Sequence, residues 1–147
     1  MDTLAARRIG SKQACKTVFF ASIIFEFIWL LVESRGDFAN GLIFFIHAQA
    51  NVVVIIFFAL LFIITYFLGR RAGIDIVING KDYIRVGLIN AFLTSILIIS
   101  YLLIIYYLHN VLKDALRAIL QIILAVTAPM ISVWLYSVKK IKALASL

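Results

Sequence analysis

Four long apolar stretches separated by short polar segments dominate the chain, at residues 17–33, 41–68, 84–108 and 115–137. Within them, runs such as 52–64 are apolar at every position. Strands of a membrane barrel alternate apolar and polar residues, so this pattern favours helices. About 20 helical residues cross a bilayer core of about 30 Å. The last three stretches are long enough to do so, and the first is at the lower limit.

The pattern therefore predicts an all-α integral membrane protein, a four-helix transmembrane bundle that forms a single domain over residues 1–147. Its loops are short, which makes consecutive helices antiparallel neighbours. The longest connection, 69–83, alternates apolar and polar residues into Asn79-Gly80. We interpret it as an interfacial loop, with a β-hairpin as the alternative. Small residues at four-residue spacing are sparse in the stretches, so glycine-based helix packing is not expected.

Composition narrows the class of protein. Hydrophobic residues make up 65% of the chain and charged residues 14%, whereas soluble domains average about 45–50% and about 25%. These values exclude a soluble globular domain. Disorder is excluded as well, because disordered chains combine low hydrophobicity with high net charge. Trp134 and other aromatic residues near the predicted helix ends are expected at the membrane interface.

The net charge of +7 is distributed unevenly along the chain. Eleven basic residues precede the first stretch, follow the last or lie in and beside the connection 69–83, while three lie in the other connections or beside them. The eleven are Arg7, Arg8, Lys12, Lys16, Arg70, Arg71, Lys81, Arg85, Lys139, Lys140 and Lys142, and the three are Arg35, Lys113 and Arg117. The positive-inside rule then predicts both termini in the cytoplasm, most simply in a plasma or inner membrane. Nucleic acid is not expected as a partner.

Cysteine and histidine are too few to indicate a cofactor. Cys15 is the only cysteine, which excludes an intrachain disulfide and cysteine-based metal sites. His47 and His109 are the only histidines, and they fall at different predicted depths, which disfavours a bis-histidine haem. We predict no cofactor, no metal and no catalytic residue, with an intramembrane enzyme as a less favoured alternative.

Polar residues inside the stretches are the candidate functional residues, because a polar group in a membrane requires a partner. Counting residues from the predicted outer helix ends places four of them at one depth: Glu26, His47, Ser100 and Gln121. Asn51 lies four residues after His47, on the same face of one predicted helix, and joins them in a buried polar layer and possible ion or proton site. Tyr101 is a further candidate for this layer. A second polar layer nearer the cytoplasm comprises Asn90, Thr94, Thr127 and Ser132.

The first layer has two interpretations. In the favoured one, hydrogen bonds among Glu26, His47, Asn51 and Gln121 fix the helix packing, and the protein is an accessory or structural subunit of a larger membrane assembly. In the alternative, Glu26 and His47 form a proton- or cation-coupling site of a small oligomeric transporter or channel. The predicted partners are the lipid bilayer and other membrane subunits or further copies of the chain. Likenesses to known families each cover fewer than ten residues, so no family is assigned.

Overall fold

Every element in the described part of the chain is a helix. The computed structural model describes residues 2–49, 51–108 and 115–146. The helices are α1 (Thr3–Glu33), α2 (Phe38–Gln49), α3 (Val52–Val77), α4 (Tyr83–Leu108) and α5 (Ala115–Ala145). All but α2 contain a segment long and apolar enough to cross a membrane. The predicted all-α bundle is confirmed, and four of its helices have the length and composition of membrane spans.

The second apolar stretch is interrupted rather than continuous. Asn51 has an extended backbone, and its side-chain oxygen accepts a hydrogen bond of 2.9 Å from the backbone N–H of Val53. Asn51 is therefore the N-cap of α3. The 12 residues of α2 extend about 18 Å, too short to cross a bilayer. The predicted single helix over 41–68 is corrected to two helices.

α2 packs against the final turns of α1. The rings of Phe27 and Phe38 meet edge to face with centroids 6.0 Å apart. A side chain at Gly41 would meet Leu31 and Ser34 of α1, so glycine permits this close approach. α2 thus forms a short helical connection between the ends of α1 and α3.

Three helices extend well beyond the predicted apolar stretches. α1 begins at Thr3, where Asp2 caps it by accepting a hydrogen bond from the backbone N–H of Ala5. α5 continues to Ala145. α3 runs through residues 69–77, so both interpretations of the connection 69–83, the hairpin and the interfacial loop, are wrong over most of its length. The loop is confined to residues 78–82.

Small residues allow α1 and α3 to pack backbone to backbone. Gly10 and Gly73 are so close that a Cβ atom at either position would collide with a carbonyl oxygen of the other helix, that of Gly69 or of Ala6. A Cβ atom at Gly69 would lie 2.6 Å from that of Ala14. The expectation that glycine-based packing is absent is therefore wrong. The predicted first helix begins at residue 17, so the apolar pattern leaves out the small residues of 3–16 that pack on Gly69 and Gly73.

α4 and α5 form the second closely packed pair. Trp134 of α5 is fully buried, and its Nε1 donates a hydrogen bond of 2.8 Å to Oγ1 of Thr94. Trp134 is therefore a core residue between α4 and α5, and its predicted depth at the membrane interface stays a prediction. Gly87 of α4 accommodates Leu135 and Val138 at this interface.

The outside of the bundle is largely apolar. Phe67 of α3 is 60% exposed, Phe92 of α4 is 64% exposed and Leu124 of α5 is 70% exposed. Large apolar side chains with this exposure favour contact with lipid chains. The chain is therefore a small polytopic membrane protein whose helix surfaces meet the bilayer.

Candidate functional site

Glu26 is an ionisable residue in the apolar part of α1. Its side chain, on α1, is half-buried and interacts electrostatically with Tyr101 of α4. The Tyr101 ring in turn stacks on Phe57 of α3, with centroids 3.9 Å apart. The structure thus brings Glu26 to Tyr101, the additional candidate for the first polar layer.

The described residues do not show the rest of the first layer as a buried cluster. His47 and Ser100 are exposed, and so is Asn51, which serves as a helix cap. The side chain of Gln121 lies outside the described residues. No charged side chain is buried in the described part of the chain, so the predicted Glu–His layer is not shown. The break before α3 explains the difference for His47 and Asn51, since their shared face requires one continuous helix.

Two of the four residues of the second layer are buried, and the other two are not. Asn90 and Thr94 of α4 are buried, with 4% and 0% of their surfaces exposed. Thr127 and Ser132 of α5 instead lie towards the surface and donate to carbonyl oxygens of their own helix, at 2.7 and 3.4 Å. Their hydroxyls are satisfied locally, as is common for such residues in membrane helices.

The buried polar interior includes residues that sequence reasoning missed. Thr65 of α3, Ser95 of α4 and Ser137 of α5 are each at most 1% exposed. Among the described residues, the hydroxyls of these three side chains and the side-chain nitrogen of Asn90 find no hydrogen-bond partner. Small hydroxyl residues fit apolar stretches without disturbing the hydrophobic pattern, so the pattern could not distinguish buried from exposed ones.

Eleven basic residues meet at one end of the bundle. They lie near the start of α1, near the end of α5 and around the loop between α3 and α4. The start of α1 packs on the end of α3 at Gly10 and Gly73. The start of α4 meets the end of α5, where Nζ of Lys142 lies 5.0 Å from the ring centre of Tyr83. We call this the basic end. It brings together the eleven basic residues that dominate the charge asymmetry.

Asp75 organises the turn between α3 and α4. Its carboxylate accepts a charged hydrogen bond of 2.8 Å from Nζ of Lys81 and another of 3.1 Å from the side-chain nitrogen of Asn79. Arg71 lies 3.7 Å away but is 77% exposed, so this pair contributes little. Gly80, with a φ of 61°, provides the left-handed residue that the tight turn requires.

A groove with charged residues at one end lies between α3 and α4 beside this turn. Its volume is about 500 Å³, and Asn90, Ile89 and Leu93 line it towards the membrane. At the basic end the charged lining residues are of both signs: Arg71, Lys81, Arg85, Asp75 and Asp82. Because two carboxylates offset the three cations, this groove carries little net charge.

A second groove, between α1 and α3, has a different electrostatic character. It also measures about 500 Å³, and its described lining contains four cations and no carboxylate: Arg7, Arg8, Lys12 and Arg70. Arg70 stands over the ring of Tyr66 at 5.6 Å. Leu4, Ser11, Cys15 and Phe62 complete the lining. We call this the cationic groove.

In the described part of the chain, no three His, Cys, Asp or Glu side chains are grouped in a way that could hold a metal ion. Comparison with protein-family models, with curated proteins and with solved structures found no match. The structure itself therefore provides the basis for a functional proposal.

Proposed function

We propose that the protein is an accessory or structural subunit of a larger membrane assembly, and that α1 contacts its partner. One observation carries the proposal: among the four candidate spans, α1 has the smallest share of fully buried residues. Only 12% of its apolar window is buried within the chain, against 33% in each of the other three. Yet α1 also carries Glu26, an ionisable residue that favours enclosure by protein over lipid.

The exposed side of α1 presents a regular ridge. Phe20, Ile24, Ile28 and Val32 recur every four residues and are between 53% and 70% exposed. This spacing places them along one helix face. Such a ridge fits the groove between side chains of a neighbouring helix. The proposed occupant is an apolar transmembrane helix of a second membrane protein.

We further propose that the basic end faces the cytoplasm. The positive-inside rule supports this orientation, because the eleven basic residues lie at this end. The even number of candidate spans would then place both termini on the cytoplasmic side. In the same arrangement, the connection that contains α2 lies on the opposite side.

Photo-crosslinking from α1 tests the subunit proposal. A benzophenone amino acid replaces Ile24 on the ridge or, as a matched control, Phe92 on α4, which is similarly exposed and apolar. We expect Ile24 to yield a discrete adduct with one other membrane protein and Phe92 to yield only diffuse lipid products.

The same partner should be stoichiometric in complexes analysed by native mass spectrometry. Ridge substitutions Ile24→Ala and Ile28→Ala should release it, whereas Phe92→Ala should not. Equal behaviour of Ile24 and Phe92 would contradict the proposal.

A small oligomeric transporter or channel is the second candidate. The observation that favours it is the set of buried, unpaired polar atoms on Thr65, Asn90, Ser95 and Ser137, which a polar solute or water could satisfy. In this case Glu26 with Tyr101 is the candidate coupling site. An adduct of Ile24 with a second copy of the chain, instead of a different protein, would favour this candidate over the accessory subunit.

A further inference from the structure

We infer that the cationic groove is a binding site for the headgroup of an anionic phospholipid. The four cations Arg7, Arg8, Lys12 and Arg70 converge on one groove whose described lining holds no carboxylate. In the groove between α3 and α4, by contrast, Asp75 and Asp82 offset the cations. The charge of the cationic groove is thus free to pair with an external anion.

The cationic groove has charged residues at one end and apolar residues at the other, as the headgroup and acyl chains of a lipid require. Arg7 and Arg8 lie near the start of α1 at the basic end, whereas Cys15 and Phe62 lie further along the helices towards the apolar stretches. Phe62 is 47% exposed and Tyr66 is 38% exposed. A phosphate can therefore pair with the arginines while its acyl chains lie along Phe62 and Tyr66.

The chemistry of the cations matches a phosphate. Arginine presents a planar fork of donors that binds phosphate oxygens in pairs. The Tyr66 ring beneath the guanidinium of Arg70 limits the orientations available to that side chain. Basic pockets between transmembrane helices on the cytoplasmic side are suited to anionic headgroups. A zwitterionic lipid, whose headgroup carries no net charge, lacks this complementarity.

The close packing of α1 on α3 fixes the shape of the groove. Gly10 and Gly73 hold the two backbones in contact beside it. Ser11, which lines the groove, is 6% exposed and its hydroxyl donates to the carbonyl oxygen of Arg8. The crossing therefore fixes the backbone positions that carry the cations on α1 and α3, so the groove exists before a ligand binds.

Cys15 provides a reporter inside the groove. It is the only cysteine and is partly exposed in the groove lining. A lipid seated in the groove would shield its thiol from a maleimide. The alkylation rate of Cys15 thus measures occupancy in the natural chain, without an introduced label.

The test uses full-length protein in neutral detergent with added phosphatidylglycerol or phosphatidylcholine of identical acyl chains. We expect phosphatidylglycerol to slow Cys15 alkylation several-fold and to remain bound in native mass spectrometry, with phosphatidylcholine far weaker on both measures. Protection should fall as salt rises. Equal effects of the two lipids would overturn the inference. If glycerol 3-phosphate protected Cys15 as strongly as phosphatidylglycerol at equal concentration, the site would belong to a soluble phosphate and not to a lipid.

Neighbouring arginines supply the matched control. Arg70→Gln removes a cation from the groove, while Arg71→Gln makes the same change one residue away, on the Asp75 side. We expect Arg70→Gln to weaken phosphatidylglycerol binding about fivefold, in line with the value of one cation near an anionic surface, and Arg71→Gln to leave it nearly unchanged. Both side chains belong to residues that are not buried, so both variants should fold, and thermal unfolding in detergent checks this. Equal losses in the two variants would show only a general charge effect and overturn the inference.

Discussion

At the scale of single residues, Thr94 and Trp134 join α4 to α5 through a buried hydrogen bond of 2.8 Å. Both side chains are fully buried. The hydroxyl of Thr94 also donates to the carbonyl oxygen of Asn90 in its own helix, at 2.8 Å. The Thr94 hydroxyl therefore donates one hydrogen bond within α4 and accepts another from the Trp134 indole of α5.

Removing the Thr94 hydroxyl should destabilise the bundle. Thr94→Val keeps the side-chain shape but leaves Nε1 of Trp134 buried without an acceptor. We expect a loss of about 1–2 kcal/mol in the free energy of unfolding in detergent. The control is Thr127→Val, whose hydroxyl donates to the carbonyl oxygen of Ile123 in its own helix and whose loss should cost less. In a Trp134→Phe background, Thr94→Val should cost less than in the natural chain. Equal costs in both backgrounds would contradict the role assigned to this hydrogen bond.

At the scale of helices, the apolar pattern predicted the existence of the spans but not their ends. α4 begins and ends within a residue of the predicted stretch 84–108, because polar residues flank it on both sides. α1, α3 and α5 continue into basic segments, since arginine and lysine are good helix formers and neighbouring helices cover those turns. Hydropathy indicates which residues are apolar enough to lie in a membrane, not where a helix begins or ends. It therefore does not predict these extensions.

The same limit applies to the candidate site. Sequence position predicts Glu26 and Tyr101 at similar depths, and the structure places them near enough to interact electrostatically. It could not reveal the break at Asn51, which depends on a side chain capping a new helix rather than continuing the old one. The sequence also could not predict the cationic groove, because the groove forms only where α1 packs against α3. In the sequence, the four-residue spacing of Ala6, Gly10 and Ala14, and of Gly69 and Gly73, is the signal of that contact.

The crossing of α1 on α3 yields a prediction for its glycines. Gly73→Ala places a methyl group against the carbonyl oxygen of Ala6, so the helices must separate. We expect the variant to lose about 1–3 kcal/mol of stability, as overpacked substitutions do. Gly87→Ala is the control, because its new Cβ atom would lie 3.0 Å from side-chain carbons of Leu135 and Val138, which can move. Thermal unfolding in detergent compares the two. Similar losses would contradict backbone contact as the basis of this crossing.

At the scale of the whole molecule, the charge asymmetry and the fold describe one arrangement. The basic residues near both termini and in the α3–α4 connection meet at one end of the bundle, and the cationic groove opens there. The exposed ridge of α1 runs along the apolar part of the same helix. In the proposed account, α1 thus carries both a lipid site near one membrane surface and a partner surface within the membrane.

The central claim is that four helices cross the membrane while α2 does not, with the basic end on one side. Single cysteines introduced in a Cys15→Ser background, at Thr3, Ala39, Asn79 or Ser146, test it through labelling of intact and opened cells by a membrane-impermeant maleimide. We predict that Thr3, Asn79 and Ser146 are labelled only after the cells are opened, whereas Ala39 is labelled in intact cells. Labelling of Thr3 and Ser146 from opposite sides, or of Ala39 from the same side as Asn79, would contradict the four-span account.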